Sequence, residues 1–274
     1  MLKFPSIWYV YCFAAINEKN AYERLKVSIS SIPEQLSVKI ITWHYDLENK
    51  LAVDFPGRNF FILNSKVIKF SKSFFINQLC KFENNRNAKY IYLADIDLFF
   101  HPEYFFWLKY IMNELSYEES DIRIISKNFN VRARPKVKLL PRRIYGKCSY
   151  YFPKLYDWDI PKNFQEILSR DMSKSDFAHG CGLIPLKALQ KIGGYNSELV
   201  GHGPEDDLFN QRIKFYSRIY YHKGSFRSAT FHLPHPAMNQ KNRFKNHKYW
   251  FDSLDDINRN GIYSQVISIE NNAD

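Results

Sequence analysis

The sequence has few cysteines, and no two of them lie close together. The four are Cys12, Cys80, Cys148 and Cys181. They form no C-x-x-C pair, so neither a zinc ribbon nor a thioredoxin-type redox motif is indicated. Scattered cysteines in a chain of 274 residues are typical of buried thiols in a reducing compartment.

Long apolar runs are also missing. Residues 7–16 form an apolar run of ten residues after a lone Lys3, which is too short to cross a bilayer. The small residues Ala14 and Ala15 leave an export signal as an alternative, but a buried first strand is the favoured interpretation. No later stretch is long enough to span a membrane, and we find neither a repeat nor a low-complexity tract. We therefore expect a cytoplasmic protein.

Acidic residues are outnumbered by basic ones. The chain has 28 Asp and Glu against 39 Lys and Arg, a formal net charge of +11. This balance favours an anionic partner, namely a nucleotide phosphate, a nucleic acid or an acidic membrane surface, without choosing among them. Apolar residues make up 45% of the chain, which is enough for a real core and excludes wholesale disorder.

The first half of the chain alternates between strand and helix patterns. Such alternation predicts a single α/β domain, with a mostly parallel sheet flanked by helices. Residues 116–178 are irregular, and 132–143 form a basic segment interpreted as a surface hairpin or loop. The predicted strands are 7–15, 38–43, 59–63 and 90–94, and the predicted helices are 20–31, 72–83, 186–192 and 205–216.

Two aspartates, Asp95 and Asp97, follow the apolar strand predicted at 90–94. Positions i and i+2 of an extended chain point to the same side, and two like charges held together repel unless a cation lies between them. Ligands of open parallel sheets bind at the carboxyl ends of strands. Mg²⁺ or Mn²⁺ suits carboxylate ligands and keeps positions free for phosphate oxygens. The alternative is a solvated turn, where Asp is common.

A glycine-rich approach leads to three consecutive acids, Glu205, Asp206 and Asp207. Acids at a helix N-terminus contribute about 0.3–1 kcal/mol each, which accounts for one or two of them. The glycines at 193, 194, 201 and 203 permit a ligand to pass close to the backbone. A carboxylate at this place is able to act as a general base toward a hydroxyl group.

Two histidines, His232 and His235, lie in a proline-containing segment that is strand-like. An isolated histidine is usually structural. Two of them downstream of an acidic pair favour one metal-binding imidazole.

In this order, the three segments resemble the GT-A fold glycosyltransferases. The nearest likeness is to the β-1,4-galactosyltransferase and bacterial family-two group that includes chondroitin-polymerase-like enzymes. Residues 70–77, F-S-K-S-F-F-I-N, are similar to that group's F-N-R-A-x-x-x-N segment, and Asp95 and Asp97 fall at its D-x-D. Residues 194–212 resemble its G-[FY]-x(5)-G-W-G-x-E-D-D…R block. The likeness covers residues 7 to about 235 and is weakest over 101–176.

The resemblance implies an inverting, metal-dependent hexosyltransferase of galactosyltransferase-like type. Residues 1–115 form the nucleotide-sugar-binding half, 116–238 the acceptor-binding and catalytic half of the same domain, and 239–274 a basic and aromatic tail. The implied donor is a UDP-hexose or UDP-N-acetylhexosamine, and the acceptor is a glycan or a lipid-linked glycan. Bacterial surface polysaccharide assembly, of capsule or lipopolysaccharide, is the implied setting.

The resemblance also implies a role for each matching residue. Asp206 is the implied catalytic base, and Glu205 orients the acceptor. The implied cofactor is Mn²⁺ or Mg²⁺, with Asp97, Asp95, His232 and His235 as candidate ligands. The implied donor-binding residues are Arg24, Asp46, Lys72, Asn77 and Asp95. The implied acceptor-binding residues are Gly182, His202, Gly203, Glu205 and Asp207, with Gly180 nearby. His202 stands where the group has Trp, and Asp46 follows Trp43, His44 and Tyr45 rather than a second Asp.

Two other classes stay open. One is another metal-dependent phosphoryl enzyme, such as a nucleotidyltransferase. The other is an anionic-surface or nucleic-acid binding module, for which the basic and aromatic run 241–250 is the evidence. For that run we favour peripheral contact with an anionic membrane at its inner face, and we expect no nucleic acid.

Overall fold

The computed structural model describes most of the chain. The described residues are 7–13, 20–36, 38–42, 47–58, 60–64, 72–84, 89–116, 122–132, 160–177, 180–199, 204–222, 226–235, 245, 246, 248 and 252. Within them, no helix combines the length and the apolarity needed to cross a bilayer. The basic segment 132–143 and the tail 239–274 lie almost wholly outside the described residues, so their predicted roles stay predictions.

The first half is a parallel sheet covered by helices, as predicted. Its strands, in the order β3-β2-β1-β4, all pair in parallel. They are β1 (Ile7–Phe13), β2 (Val38–Thr42), β3 (Phe60–Asn64) and β4 (Tyr90–Ala94). The helices are α1 (Ala21–Ser30), α2 (Leu47–Asp54) and α3 (Lys72–Asn84). The sequence did not predict α2, which is held by only two buried side chains, Leu47 and Leu51.

The second half adds strands of both directions, so that antiparallel pairs join the parallel pairs of a mixed sheet. It contains β5 (Leu98–Phe100), α4 (Tyr104–Ser116), β6 (Ile122–Val131), α5 (Phe164–Leu168), β7 (Met172–Phe177), β8 (Gly182–Pro185), α6 (Leu186–Lys191), α7 (Glu205–Ile213), β9 (Arg218–His222), a short 3-10 turn (Phe226–Ser228) and β10 (Thr230–His232). Strand β8 runs antiparallel between β4 and β6. Strand β6 then pairs in parallel with β9 along its first part and with β10 along its second.

Two predictions for this half are corrected. Strand β6 and helix α4 are regular elements, and β6 lies inside the segment expected to be irregular. Helix α7 ends at Ile213 rather than at Tyr216, which lies beyond the helix and is 38% exposed.

The core consists of apolar clusters on the two faces of the sheet. Strand β4 illustrates the division, because alternate residues of a strand face opposite sides. Tyr92 and Ala94 belong to the cluster under α1, α2 and α4. Ile91 and Leu93 belong to the cluster under α3, α6 and α7. Strand β4 is therefore covered on both faces, and Asp95 follows it at the carboxyl end of the strand.

Candidate active site

Strand pairing brings both histidines to Asp97. Strand β5 begins directly after Asp97 and runs antiparallel to β10, which places His232 opposite Leu98. The backbone N–H of Leu233 donates to the carbonyl oxygen of Asp97 at 2.7 Å. As a result, Oδ2 of Asp97 lies 3.5 Å from Nε2 of His232 and 3.3 Å from Nε2 of His235.

The donor set of this cluster suits a divalent cation. One ligand atom from each of Asp97, His232 and His235 lies within 4.8 Å of the others. Asp97 is only 5% exposed, and its Oδ1 atom is buried without a hydrogen-bond partner among the described residues. Such an oxygen is costly to leave unsatisfied, and a bound cation would satisfy it. One carboxylate with two imidazoles leaves coordination positions open for substrate oxygens. The residues present therefore fit Mn²⁺ or a similar ion.

Lys72, at the start of α3, joins the two acidic segments predicted from the sequence. Its Nζ lies 3.2 Å from Oδ1 of Asp95 and 3.1 Å from Oδ1 of Asp206, and it donates to the carbonyl oxygen of Gly180 at 3.2 Å. The Lys72 side chain is 9% exposed. Burial alone would lower the pKa of Lys72, but attraction by Asp206 and Asp95 outweighs it, and the pKa is raised well above its usual value. Lys72 is thus a fixed positive charge between the D-x-D segment and α7.

Gly180 leaves room for this contact. A Cβ atom at position 180 would overlap the Asp206 carboxylate and come within 2.6 Å of the Lys72 ammonium. The next residue, Cys181, is 3% exposed, and its thiol donates to Oδ2 of Asp95 at 3.3 Å. Burial raises the pKa of Cys181, and repulsion by Asp95 adds to the effect, so the residue stays a thiol. Cys181 was expected to be buried, but nothing in the sequence indicated its contact with Asp95.

Glu205 is the enclosed member of the three acids that open α7. It is 9% exposed, and its Oε2 atom has no hydrogen-bond partner within the described part of the chain. Burial, followed by repulsion from Asp206, raises the pKa of Glu205 to about 7. Asp206 is partly exposed, with 24% of its side chain open, and Asp207 is exposed. The three neighbours therefore occupy three different environments.

Asn77 lies on α3 and holds the segment before α7. Its Nδ2 donates to the carbonyl oxygen of Tyr195 at 2.8 Å, and its Oδ1 accepts from the N–H of Tyr195 at 2.8 Å. Gly194, at φ +79°, permits the approach, since a Cβ there would overlap Oδ1 of Asn77. Both ends of this amide are thus engaged with backbone. Its expected contact with the nucleotide stays a prediction.

The remaining predicted residues divide into described and undescribed ones. Arg24 is 2% exposed in the first turns of α1. Gly182, at φ +121°, begins β8 where a Cβ would overlap the carbonyl oxygen of Ile124, so close strand packing accounts for this glycine. Asp46, His202 and Gly203 lie outside the described residues. The binding roles of all five stay predictions, as does a metal contact for Asp95, whose carboxylate faces Lys72 and Cys181.

Comparison with known proteins shows a similarity of fold. No family model matches the sequence. The search of curated proteins finds no match either. Among solved structures, S. aureus TarS residues 1–349 match at 12% identity with a TM-score of 0.51, covering 82% of this chain and 60% of that one. A longer S. aureus TarS structure matches at 11% identity with a TM-score of 0.55, covering 92% and 40%. S. aureus TarS 1–349 in complex with UDP-GlcNAc matches at 11% identity with a TM-score of 0.50, covering 84% and 59%.

This chain thus spans between 40% and 60% of the length of these three TarS structures. At these identities the likeness concerns the fold, and the narrower resemblance to the β-1,4-galactosyltransferase and chondroitin-polymerase group stays a prediction. The chain has a mixed α/β fold that matches the fold of TarS, a staphylococcal glycosyltransferase.

Proposed function

We propose that this chain is an inverting, metal-dependent glycosyltransferase that moves a hexosyl or N-acetylhexosaminyl group from a UDP-sugar to a hydroxyl group of a glycan. One observation carries the proposal: Lys72 contacts both Asp95 and Asp206. Asp206 therefore lies beside the segment that ends in Asp97, which contacts the two histidines. In this proposal the surface between Asp206 and the Asp97 cluster is the substrate cleft. A cation-fitting cluster and a partly exposed carboxylate in one cleft are what such a transfer requires.

The donor side is built around Asp97. Asp97, His232 and His235 would hold Mn²⁺ or Mg²⁺, and the bound ion would neutralise charge on the departing nucleoside diphosphate. Lys72 adds a buried positive charge on the same side of the cleft. The UDP-GlcNAc in one TarS structure supports a UDP-sugar as donor. We assign Arg24, Asp46 and Asn77 to the same half, residues 1–115.

The acceptor side is built around the start of α7. Asp206 accepts the proton of the acceptor hydroxyl while the acceptor oxygen forms its bond to the anomeric carbon and the bond from that carbon to the diphosphate oxygen breaks. Attack from the face opposite the leaving group inverts the anomeric configuration. A positioned base of this kind contributes roughly 10²–10⁴ in rate. Glu205, Asp207, His202, Gly203 and Gly182 belong to the acceptor-binding half, residues 116–238.

The cellular role is proposed from the charge of the chain. The net charge of +11 favours anionic partners. We place the protein in the cytoplasm, in peripheral contact with the inner face of the membrane through the basic tail 239–274. Its acceptor would be a glycan or a lipid-linked glycan of a bacterial surface polysaccharide.

The test is a panel of nucleotide sugars assayed with Mn²⁺ and with a chelator. We expect UDP to be released from one UDP-sugar in an Mn²⁺-dependent way. Asp206→Asn should lower that transfer by roughly 10²–10⁴ while UDP binding persists. Asp171→Asn, an exposed aspartate outside the cleft, is the matched control. Release of inorganic diphosphate from a sugar phosphate and a nucleotide would instead indicate a nucleotidyltransferase. Full transfer by Asp206→Asn would refute the assigned base.

A further inference from the structure

Arg123 is a buried cation beneath the helix that carries the proposed base. It lies on β6 and is 0% exposed. Burying a guanidinium is costly unless the protein supplies strong contacts. Its Nε donates to Oδ1 of Asn210 at 2.7 Å, and its guanidinium carbon lies 4.9 Å from the ring centroid of Phe209. A cation at this distance over an aromatic face is attracted to the ring.

The two partners of Arg123 lie one turn beyond Asp206. Phe209 and Asn210 follow Asp206 by three and four positions, and residues at these spacings share a helix face. Arg123 therefore contacts α7 one turn further along the face from which Asp206 projects. A rotation of α7 about its axis would move Asp206 and break the Arg123 contacts together.

The ring of Phe209 also stacks on the ring of Tyr195. The rings of Phe209 and Tyr195 are parallel within 9°, with centroids 4.1 Å apart. The backbone of Tyr195 is bound on both sides by Asn77 of α3. Helix α3 also carries Lys72, whose ammonium contacts Asp206. The contacts from Arg123 through Phe209 to Tyr195 therefore connect β6 and α7 to α3. The Lys72–Asp206 contact is thus accompanied by a second connection between the same two helices.

We infer that Arg123 is a positioning residue for the proposed base: by holding Phe209 and Asn210 it fixes the rotation of α7, so that Asp206 stays against Lys72 and faces the cleft. Arg123 touches no substrate in this arrangement. The inference rests on the proposed function for the role of Asp206, although the support of α7 by Arg123 can be tested without it. Burial lowers the pKa of Arg123, while attraction by Tyr195 and Asp206 opposes that effect.

The experiment compares Arg123→Met, Arg123→Lys and Ile213→Ala. Met keeps much of the volume but removes the charge and the hydrogen bond, and Lys keeps a cation for the Phe209 ring. Ile213→Ala creates a cavity at a 0% exposed position at the carboxyl end of the same helix, within its apolar cluster. The readouts are kcat, the dissociation constant of UDP with Mn²⁺, the melting temperature, and amide hydrogen exchange over residues 205–213.

For Arg123→Met we expect kcat to fall by about 10- to 100-fold, because a misplacement of about 1 Å can cost that much. UDP binding should change less than about twofold, since the donor side keeps its residues. Arg123→Lys should recover part of kcat. Ile213→Ala should lower the melting temperature yet keep kcat within about threefold at a temperature where it is folded. Exchange over residues 205–213 should be faster in Arg123→Met than in Ile213→Ala.

Equal kcat in Arg123→Met and Ile213→Ala, or equal exchange over α7, would overturn the inference. If Arg123→Met does not fold, Asn210→Ala supplies the same comparison, because it removes the hydrogen-bond acceptor and leaves the guanidinium in place.

The proposed function and this inference are refuted by different results. No turnover of any nucleotide sugar by the wild-type chain would refute the proposed function, while the exchange comparison would still decide whether Arg123 holds α7.

Discussion

The ammonium of Lys72 lies 3.1 Å from the carboxylate of Asp206, although the two residues are 134 positions apart in the chain. The same ammonium lies 3.2 Å from Asp95. A buried lysine between two carboxylates from different halves of the chain joins these two segments and supplies a positive charge between them. It follows that changes to Lys72 affect both stability and chemistry.

Two replacements of Lys72 measure its effects on stability and on transfer. Lys72→Met leaves Asp95 and Asp206 without their shared cation. Both carboxylates are partly exposed, at 45% and 24%, so we expect a loss of about 1–3 kcal/mol of unfolding free energy. We expect transfer to fall by roughly 10²-fold or more as Asp206 loses its position. Lys72→Arg should keep the charge and more of both properties. Denaturation curves and kcat measured on the same preparations check this, and wild-type stability in Lys72→Met would contradict it.

Removal of Asp97 tests the metal cluster. Asp97→Ala should abolish the Mn²⁺-dependent part of UDP binding measured by calorimetry, because it deletes the carboxylate between two histidines. His232→Ala and His235→Ala should each weaken it, since each imidazole lies within 3.5 Å of Asp97. Glu114→Gln, an exposed acid on α4, is the control. Identical Mn²⁺ dependence in Asp97→Ala and wild type would rule the cluster out as the metal site.

Glu205 makes stability depend on pH. Its pKa is about 7 in the folded chain against an ordinary value of 4.5, so the folded state binds more protons than the unfolded state between these two values. The contribution of Glu205 to the unfolding free energy is therefore greatest below pH 4.5 and is lost as pH rises toward about 7. The loss is on the order of 3 kcal/mol.

The comparison with Glu205→Gln isolates this effect, because the other titrating groups are common to both proteins. The unfolding free energy of the wild type minus that of Glu205→Gln should fall between pH 4.5 and pH 7 and then level off. Chemical denaturation at a series of pH values measures it. A difference that stays constant with pH would mean that folding does not change the pKa of Glu205, against the raised value.

Much of the donor side could be predicted from the sequence, because it depends on local patterns. Apolar runs of strand length gave β1 to β4 within one or two residues, and placed Asp95 and Asp97 at the end of β4. The sequence suggests that His232 or His235 binds a metal, but it does not specify how the two histidines approach Asp97. That approach depends on a three-residue antiparallel pairing between β5 and β10, which carries no periodic signal of its own.

The unpredicted parts involve residues that break the pattern of their own element. Arg123 and Ser126 are buried in β6, so the strand lacks a continuous apolar run and was not recognised. Lys72 was expected to contact a nucleotide from its position in a motif. Its carboxylate partners come from distant segments, and only the assembled sheet brings them within reach.

The two glycines around Cys181 provide a contrast between chemistry and stability. In Gly180→Ala, the new methyl group would overlap the ends of two flexible side chains, those of Asp206 and Lys72. These can shift, so we expect a stability loss below about 1 kcal/mol, with transfer reduced by roughly 10- to 100-fold because the base moves. In Gly182→Ala, the methyl group would overlap the backbone carbonyl of Ile124 at a residue with φ +121°. Neither the carbonyl group nor the backbone angle at position 182 can change without an energetic cost, so the unfolding free energy should fall by about 1–3 kcal/mol or more. The melting temperature and kcat of both variants test this contrast. If Gly180→Ala were the less stable of the two, the small residue at position 180 would be needed for folding rather than for placing Asp206, and the assignment would be wrong.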